Sequence, residues 1–219
     1  MTPENLITRA ALWIVPLVVA IVFHEVAHGW AARALGDPTA AEQRRLSLNP
    51  LRHVDPVGTV ILPLGLALSG APVFGWAKPV PVRADRLREP RSGMMLVALA
   101  GPATNLLLAG VAAVGLGLAG GEGLAAAFFR GALLINVFLA VFNLLPLPPF
   151  DGGHVVQGLL PRPLALRWAA FSRYGFLLLV GLLLLLPMVV PGLDLVGRIV
   201  MPPVAWLTGE YLRLAAALA

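Results

Sequence analysis

The 219-residue sequence has no cysteine, a single lysine and only 12% charged residues. Without cysteine there is no thiol nucleophile, no thiolate metal site and no disulfide framework, while the redox compartment stays open. A soluble domain carries roughly 25% charged residues, so the shortage of charge excludes an ordinary cytosolic domain. Disorder is excluded by the 58% apolar content, and the 23 glycines and 20 prolines follow no collagen period. What the chain has in place of charge is long apolar runs, with a mean hydropathy of +0.85.

The net charge is +5, and arginine supplies 15 of the 16 basic residues. A nucleic-acid binder needs an exposed basic face. In a membrane protein the same excess belongs to cytoplasmic loops, so position decides. Apolar runs cover 10–32, 57–69, 94–119, 124–147, 174–190 and 196–218. All but the second approach the roughly 20 residues that cross a bilayer. The first run has ionisable residues in its second half and no small-residue cleavage pattern, so it reads as mature structure rather than a signal peptide.

The second run is short and broken by Gly58, Pro63 and Gly65. Basic segments flank it on both sides: Arg33 to Arg52, then Lys78 to Arg91. If the run spanned, these segments would face opposite sides, against the positive-inside bias. A re-entrant run places both inside, with 13 basic residues inside and 3 outside. The sequence therefore predicts an all-α polytopic integral membrane protein with about five transmembrane helices plus one re-entrant segment, or six spans. The N-terminus is expected outside and the C-terminus inside. One domain over 1–219 is expected, with a metal-binding helix at 10–35, the re-entrant segment and loops at 36–93, helices at 94–148, and C-terminal helices at 174–218. Nucleic acid is not expected as a partner; a lipid bilayer is.

The first helix contains His24-Glu25-Val26-Ala27-His28. Histidines four apart lie about 40° apart around a helix, so both imidazoles can reach one metal. Glu25 sits beside them, placed to touch a water at the metal without being a ligand. In this HExxH arrangement zinc lowers the pKa of water and the Glu takes its proton. Ionisable groups inside a bilayer are costly unless used. The competing use, polar hydrogen bonding between helices, explains three such residues on one turn less well.

A catalytic zinc site needs a third protein ligand, and His53, Asp55, Asp151 and His154 are the candidates. Asp151 stands out because it follows a span through Asn143-Leu-Leu-Pro-Leu-Pro-Pro-Phe-Asp151-Gly-Gly. Three prolines in four positions cannot continue a helix, and the glycines permit a tight turn that brings Asp151 to its partners. A plain helix stop explains the Pro and Gly residues but not Asn143 inside the apolar run.

On these motifs the chain resembles the site-2 protease family of intramembrane zinc metalloproteases, in its short bacterial and archaeal branch without a PDZ domain. The matching segments are FHEVAHGWAARALGD (23–37), LNPLRHVDPVGT (48–59), GWAKPVPV (75–82), AGPATN (100–105) and NLLPLPPFDGGHV (143–155). The resemblance implies one zinc per chain held by His24, His28 and Asp151, Glu25 as general base, and Asn143 beside the site holding substrate. It implies hydrolysis of peptide bonds within or near the spans of membrane-protein substrates, in a multi-pass protein of a bacterial or archaeal cell membrane. The active site is expected nearer the cytoplasmic side. The HExxH helix is expected to be the first span, with no PDZ or nucleotide-binding module. Two other classes stay open: a metal transporter, which has no use for Glu25 as a base, and a non-catalytic scaffold. His53 and Asp55 are expected to serve structure. Gly101, Pro102 and Asn105 are expected to allow close helix packing, and Trp76 to anchor at the membrane interface.

Overall fold

The computed structural model describes residues 3–70, 75–190 and 194–219, and those residues contain helices, turns and extended loops but no strand. In chain order they form α1 (Pro3–Ala34), α2 (Thr39–Glu42), α3 (Leu62–Ser69), α4 (Pro90–Leu118), α5 (Gly123–Asn143), α6 (Asp151–Leu159), α7 (Arg162–Ser172), α8 (Gly175–Val180), α9 (Leu186–Val189) and α10 (Met201–Ala216). Three helices are long and apolar enough to cross a bilayer: Ile7–Ala34, Pro90–Leu118 and Gly123–Asn143. The two predicted C-terminal spans are helices interrupted by π turns, at Gly181–Leu185 between α8 and α9 and at Val196–Val200 before α10.

The interior is made of small residues. On α4, Ala109, Ala112 and Ala113 meet Leu133 and Val137 of α5 and Val204 and Ala215 of α10. A Cβ on Gly115 would lie 2.5 Å from the Phe129 ring, and one on Gly117 would lie 2.6 Å from the Ala215 carbonyl. Lipid is as apolar as leucine, so helices in a membrane gain by close backbone approach rather than by burying large side chains. Many large side chains of α4 face outward: Leu107 is 72% exposed, Val111 64% and Leu118 76%. A soluble bundle would bury them. The outward apolar girdle is why the chain is a membrane protein.

Between α1 and α4 the chain makes the expected excursion. Asp55 accepts hydrogen bonds from the Val57 and Gly58 N–H groups and so opens the helical stretch Pro56–Ser69, which at 1.5 Å per residue is roughly 20 Å long, short of the ~30 Å hydrocarbon core. Residues 71–74, which follow the predicted run at 57–69, lie outside the described residues. The chain then returns to where it left: Trp76 N–H donates to the Gly58 carbonyl at 3.1 Å and Thr59 Oγ1 to the Trp76 carbonyl at 2.9 Å. Trp76 thus stands beside the start of Pro56–Ser69.

Fully buried Asp37 ties the end of α1 to this excursion, accepting from the Thr39 N–H and hydroxyl and from the Arg83 N–H at 2.6 Å. Burial pushes its carboxyl up, but the Arg83 and Thr39 donors outweigh that and hold it below the ordinary carboxylate value. A lowered folded-state value means stability present above the unfolded value, ~3.9, and lost as pH falls through the folded one. Asp37→Asn should therefore cost about 2 kcal/mol near neutral pH, and the gap should narrow as pH is lowered from neutral through the unfolded value, ~3.9. Thermal unfolding of both proteins in detergent across that range measures it; a pH-independent gap overturns the assignment.

Two elements differ from expectation. The segment after the proline run is not a turn but two short helices, α6 and α7. Gly152 and Gly153 are helical, and neither has positive φ. They are needed for space: a Cβ on Gly152 would lie 2.3 Å from the Leu145 carbonyl, and one on Gly153 would lie 2.9 Å from Pro148 N. The close approach of α6 to the 144–148 backbone is what sets Asp151. Trp168 on α7 fastens α6 from the other side, donating Nε1–H to the Gly153 carbonyl at 2.9 Å.

Candidate metal centre

His24 and His28 lie one turn apart on α1, 7% and 9% exposed. They face α4 at Gly101, where a Cβ would lie 2.5 Å from His28 Nε2 and 2.6 Å from His24 Cε1. Gly101 therefore serves more than general packing, because only a residue without a side chain leaves room for both imidazoles. From the opposite side α6 begins at Asp151. Its Oδ2 lies 3.1 Å from His24 Nε2 and 3.4 Å from His28 Nε2.

Hydrogen bonds assign the imidazole protons. His24 Nδ1–H donates to Asn105 Oδ1 at 2.6 Å, and His28 Nδ1–H donates to the Val97 carbonyl at 2.7 Å. With both Nδ1 atoms used as donors, neutral imidazoles present lone pairs at both Nε2 atoms, which lie only 3.0 Å apart. The third atom of the group, buried Asp151 Oδ2, has no hydrogen-bond donor. Three electron-rich atoms within 4.8 Å of one another, with no proton to separate them, repel unless a cation lies between. Two imidazole nitrogens and one carboxylate oxygen match a catalytic zinc site with three protein ligands, and both Nδ1–H groups are held as metal-ligating histidines are. The residues fit zinc.

Of the other predicted residues, Glu25 is half-buried, and its Oε2 accepts the Val80 N–H at 2.8 Å. The extended loop after the re-entrant segment thus holds this carboxylate beside the histidines. Asn143 ends α5 and donates to the Leu139 carbonyl of its own helix at 2.9 Å, so it is not one of the three converging residues. His53 is 3% exposed and donates Nε2–H to the Ser47 carbonyl at 2.8 Å, while its buried Nδ1 has no partner, and Asp55 caps Pro56–Ser69. His154 stands one turn beyond Asp151 on α6, exposed. Trp76 packs over Gly58 and edge-on to Phe176 at 5.4 Å, joining the re-entrant segment to α8.

Sequence reasoning missed a polar relay behind His24. Asn105 is fully buried; its Nδ2 donates to the Ala20 carbonyl and, at 2.9 Å, to Asn136 Oδ1. Asn136 Nδ2 in turn donates to the Ala132 carbonyl at 2.8 Å. These bonds leave Asn105 Oδ1 only the acceptor role towards His24. The available signal was an asparagine at mid-depth in each of two apolar helices. Asn105→Leu should weaken zinc binding roughly 10- to 100-fold, and Asn105→Asp, which keeps an acceptor, should recover part of it. Competition with a chelating dye measures both; unchanged affinity in Asn105→Leu rules the relay out as a support.

A family model described as peptidase family M50 matches residues 120–183, the part holding Asn143 and Asp151. YwhC of Bacillus subtilis, named as a candidate zinc metalloprotease, is 38% identical over 173 residues, covering 75% of this chain and 76% of YwhC. Rip2 of Mycolicibacterium smegmatis, named likewise, is 32% identical over 171 residues, covering 76% of this chain and 64% of its own length. MJ0611 of Methanocaldococcus jannaschii, also so named, is 34% identical over 145 residues and is covered to 64%. No solved structure matches the chain.

Proposed function

We infer the reaction from the family: the chain belongs to peptidase family M50, that of the site-2 proteases, and is a zinc metalloprotease. We propose that its substrates are membrane proteins, cut within or near their spanning segments, and that His24, His28 and Asp151 hold the zinc. The observation that carries this is the convergence of two Nε2 lone pairs and an orphaned carboxylate oxygen between apolar helices, with a carboxylate on the adjacent residue. We further propose a multi-pass arrangement of five spans in the cell membrane, with the centre nearer the cytoplasmic side, on the strength of the basic loops.

When bound, zinc supplies Lewis-acid polarisation of the scissile carbonyl and lowers the pKa of water. Glu25 accepts the attacking water's proton and delivers it to the leaving amine. The Val80 N–H holds one oxygen of Glu25, so the carboxylate is oriented before substrate arrives. Asn143 has a second amide hydrogen and a carbonyl oxygen left to bind an unwound substrate backbone. The proline-rich 144–150 stretch offers an extended edge for strand addition, limited by its three proline nitrogens. A helical substrate hides its carbonyls, so helix-breaking residues in it lower the cost of presenting one.

The test is reconstitution. The purified protein in liposomes with a single-span substrate should yield products whose ends, mapped by mass spectrometry, fall within or near the span. A zinc chelator should reduce cleavage to background, and zinc, but not magnesium, should restore it. Liposomes that accumulate zinc without cutting any candidate would establish transport instead.

A further inference from the structure

Apart from the metal centre, the bundle carries a groove of about 330 Å³ between the start of α4, α6 and α7, within the ~300–1,000 Å³ range of small-ligand sites. Arg91 from α4, Arg162 from α7, and His154 and Gln157 from α6 line it, and no acidic residue does. Among the described residues none of these four side chains makes a hydrogen bond or ion pair. Both arginines stand in the first turn of a helix, Arg91 in α4 and Arg162 in α7, where the helix dipole disfavours a cation and favours an anion. Two uncompensated guanidinium groups and two helix N-termini on one groove ask for negative charge. A planar guanidinium suits phosphate oxygens.

The rest of the groove and its rim are apolar. Met94 and Leu166 line it, and Leu166 is 67% exposed. Leu164 and Phe171 of α7 are 47% and 40% exposed, on a helix that also carries Arg162 and Arg167. Arginines beside exposed apolar side chains on a short helix suit a membrane surface. The ligand the groove fits therefore has an anionic head and an apolar body.

We propose that this groove seats the phosphate of an anionic phospholipid, with Arg91 and Arg162 on the phosphate oxygens, Gln157 and His154 on the headgroup hydroxyls, and Met94 and Leu166 against the first acyl carbons. Because His154 and Gln157 belong to the helix that Asp151 begins, a seated lipid braces α6. The membrane's anionic lipid content then supports the position of the third metal-ligand candidate.

Native mass spectrometry of the detergent-solubilised protein tests this with phosphatidylglycerol, phosphatidylcholine and inorganic phosphate as probes. One phosphatidylglycerol per chain should be retained, with phosphatidylcholine lost. The double variant Arg91→Gln, Arg162→Gln should bind phosphatidylglycerol roughly 10- to 30-fold more weakly, and the double Lys variant should keep most of the affinity. Elution volume and helical circular dichroism, unchanged across variants, show that the bundle is folded. Equal binding by the double Gln variant overturns the proposal. Displacement of phosphatidylglycerol by inorganic phosphate at equal concentration overturns the lipid as the source and leaves a free phosphate site.

Discussion

Glu25→Gln should leave zinc bound at about one ion per chain while lowering cleavage of a membrane-spanning substrate by roughly 10²- to 10⁴-fold. The substitution is nearly isosteric. The amide oxygen can still accept the Val80 N–H that Glu25 Oε2 accepts now, so the loop and the side chain keep their places. What is lost is the capacity to take a proton from water and return it to the leaving nitrogen. Zinc content by atomic emission and product formation must be measured on the same preparation. Wild-type cleavage would assign the base elsewhere; loss of zinc together with cleavage would make Glu25 part of the metal's binding rather than of proton transfer.

Asp151→Asn addresses the metal. A neutral amide oxygen is a poorer ligand than a carboxylate, so zinc affinity should fall by about 100-fold or more, and cleavage should fall with it. The effect should be local. Gly152 and Gly153 keep α6 against the 144–148 backbone, and Trp168 still donates to the Gly153 carbonyl. Thermal unfolding of the metal-free proteins should accordingly be similar. Unchanged zinc affinity would move the third ligand away from Asp151, to His53, Asp55 or His154.

The centre was legible in the sequence wherever the chemistry is costly. His24 and His28 at helical spacing in an apolar run, and Asp151 after a proline break, are residues a bilayer tolerates only for a purpose, and the structure brings those three together. What could not be read depends on register between helices. That Asn105 stands level with His24, and Asn136 level with Asn105, follows from how α1, α4 and α5 slide against one another. Short sequence patterns carry no such information. Likewise nothing local says that Val80 will meet Glu25. Gly101, Gly152 and Gly153 were visible as small residues, but which neighbour each makes room for was not. The long apolar helices α1, α4 and α5 were found at nearly their observed bounds. The short helices α6 and α7 were missed because the paired glycines of α6 and the proline and arginines of α7 read equally well as loop.

The converging atoms come from opposite parts of the chain, two from α1 and one from the start of α6. A ribosome delivers His24 and His28 long before Asp151, a lag on the order of ten seconds at ordinary elongation rates. Until α6 docks, the nascent chain offers a metal two imidazoles and nothing to close the set. On the proposed ligand set, the metal site stays incomplete until α6 docks, so hydrolysis has to await closure of the bundle.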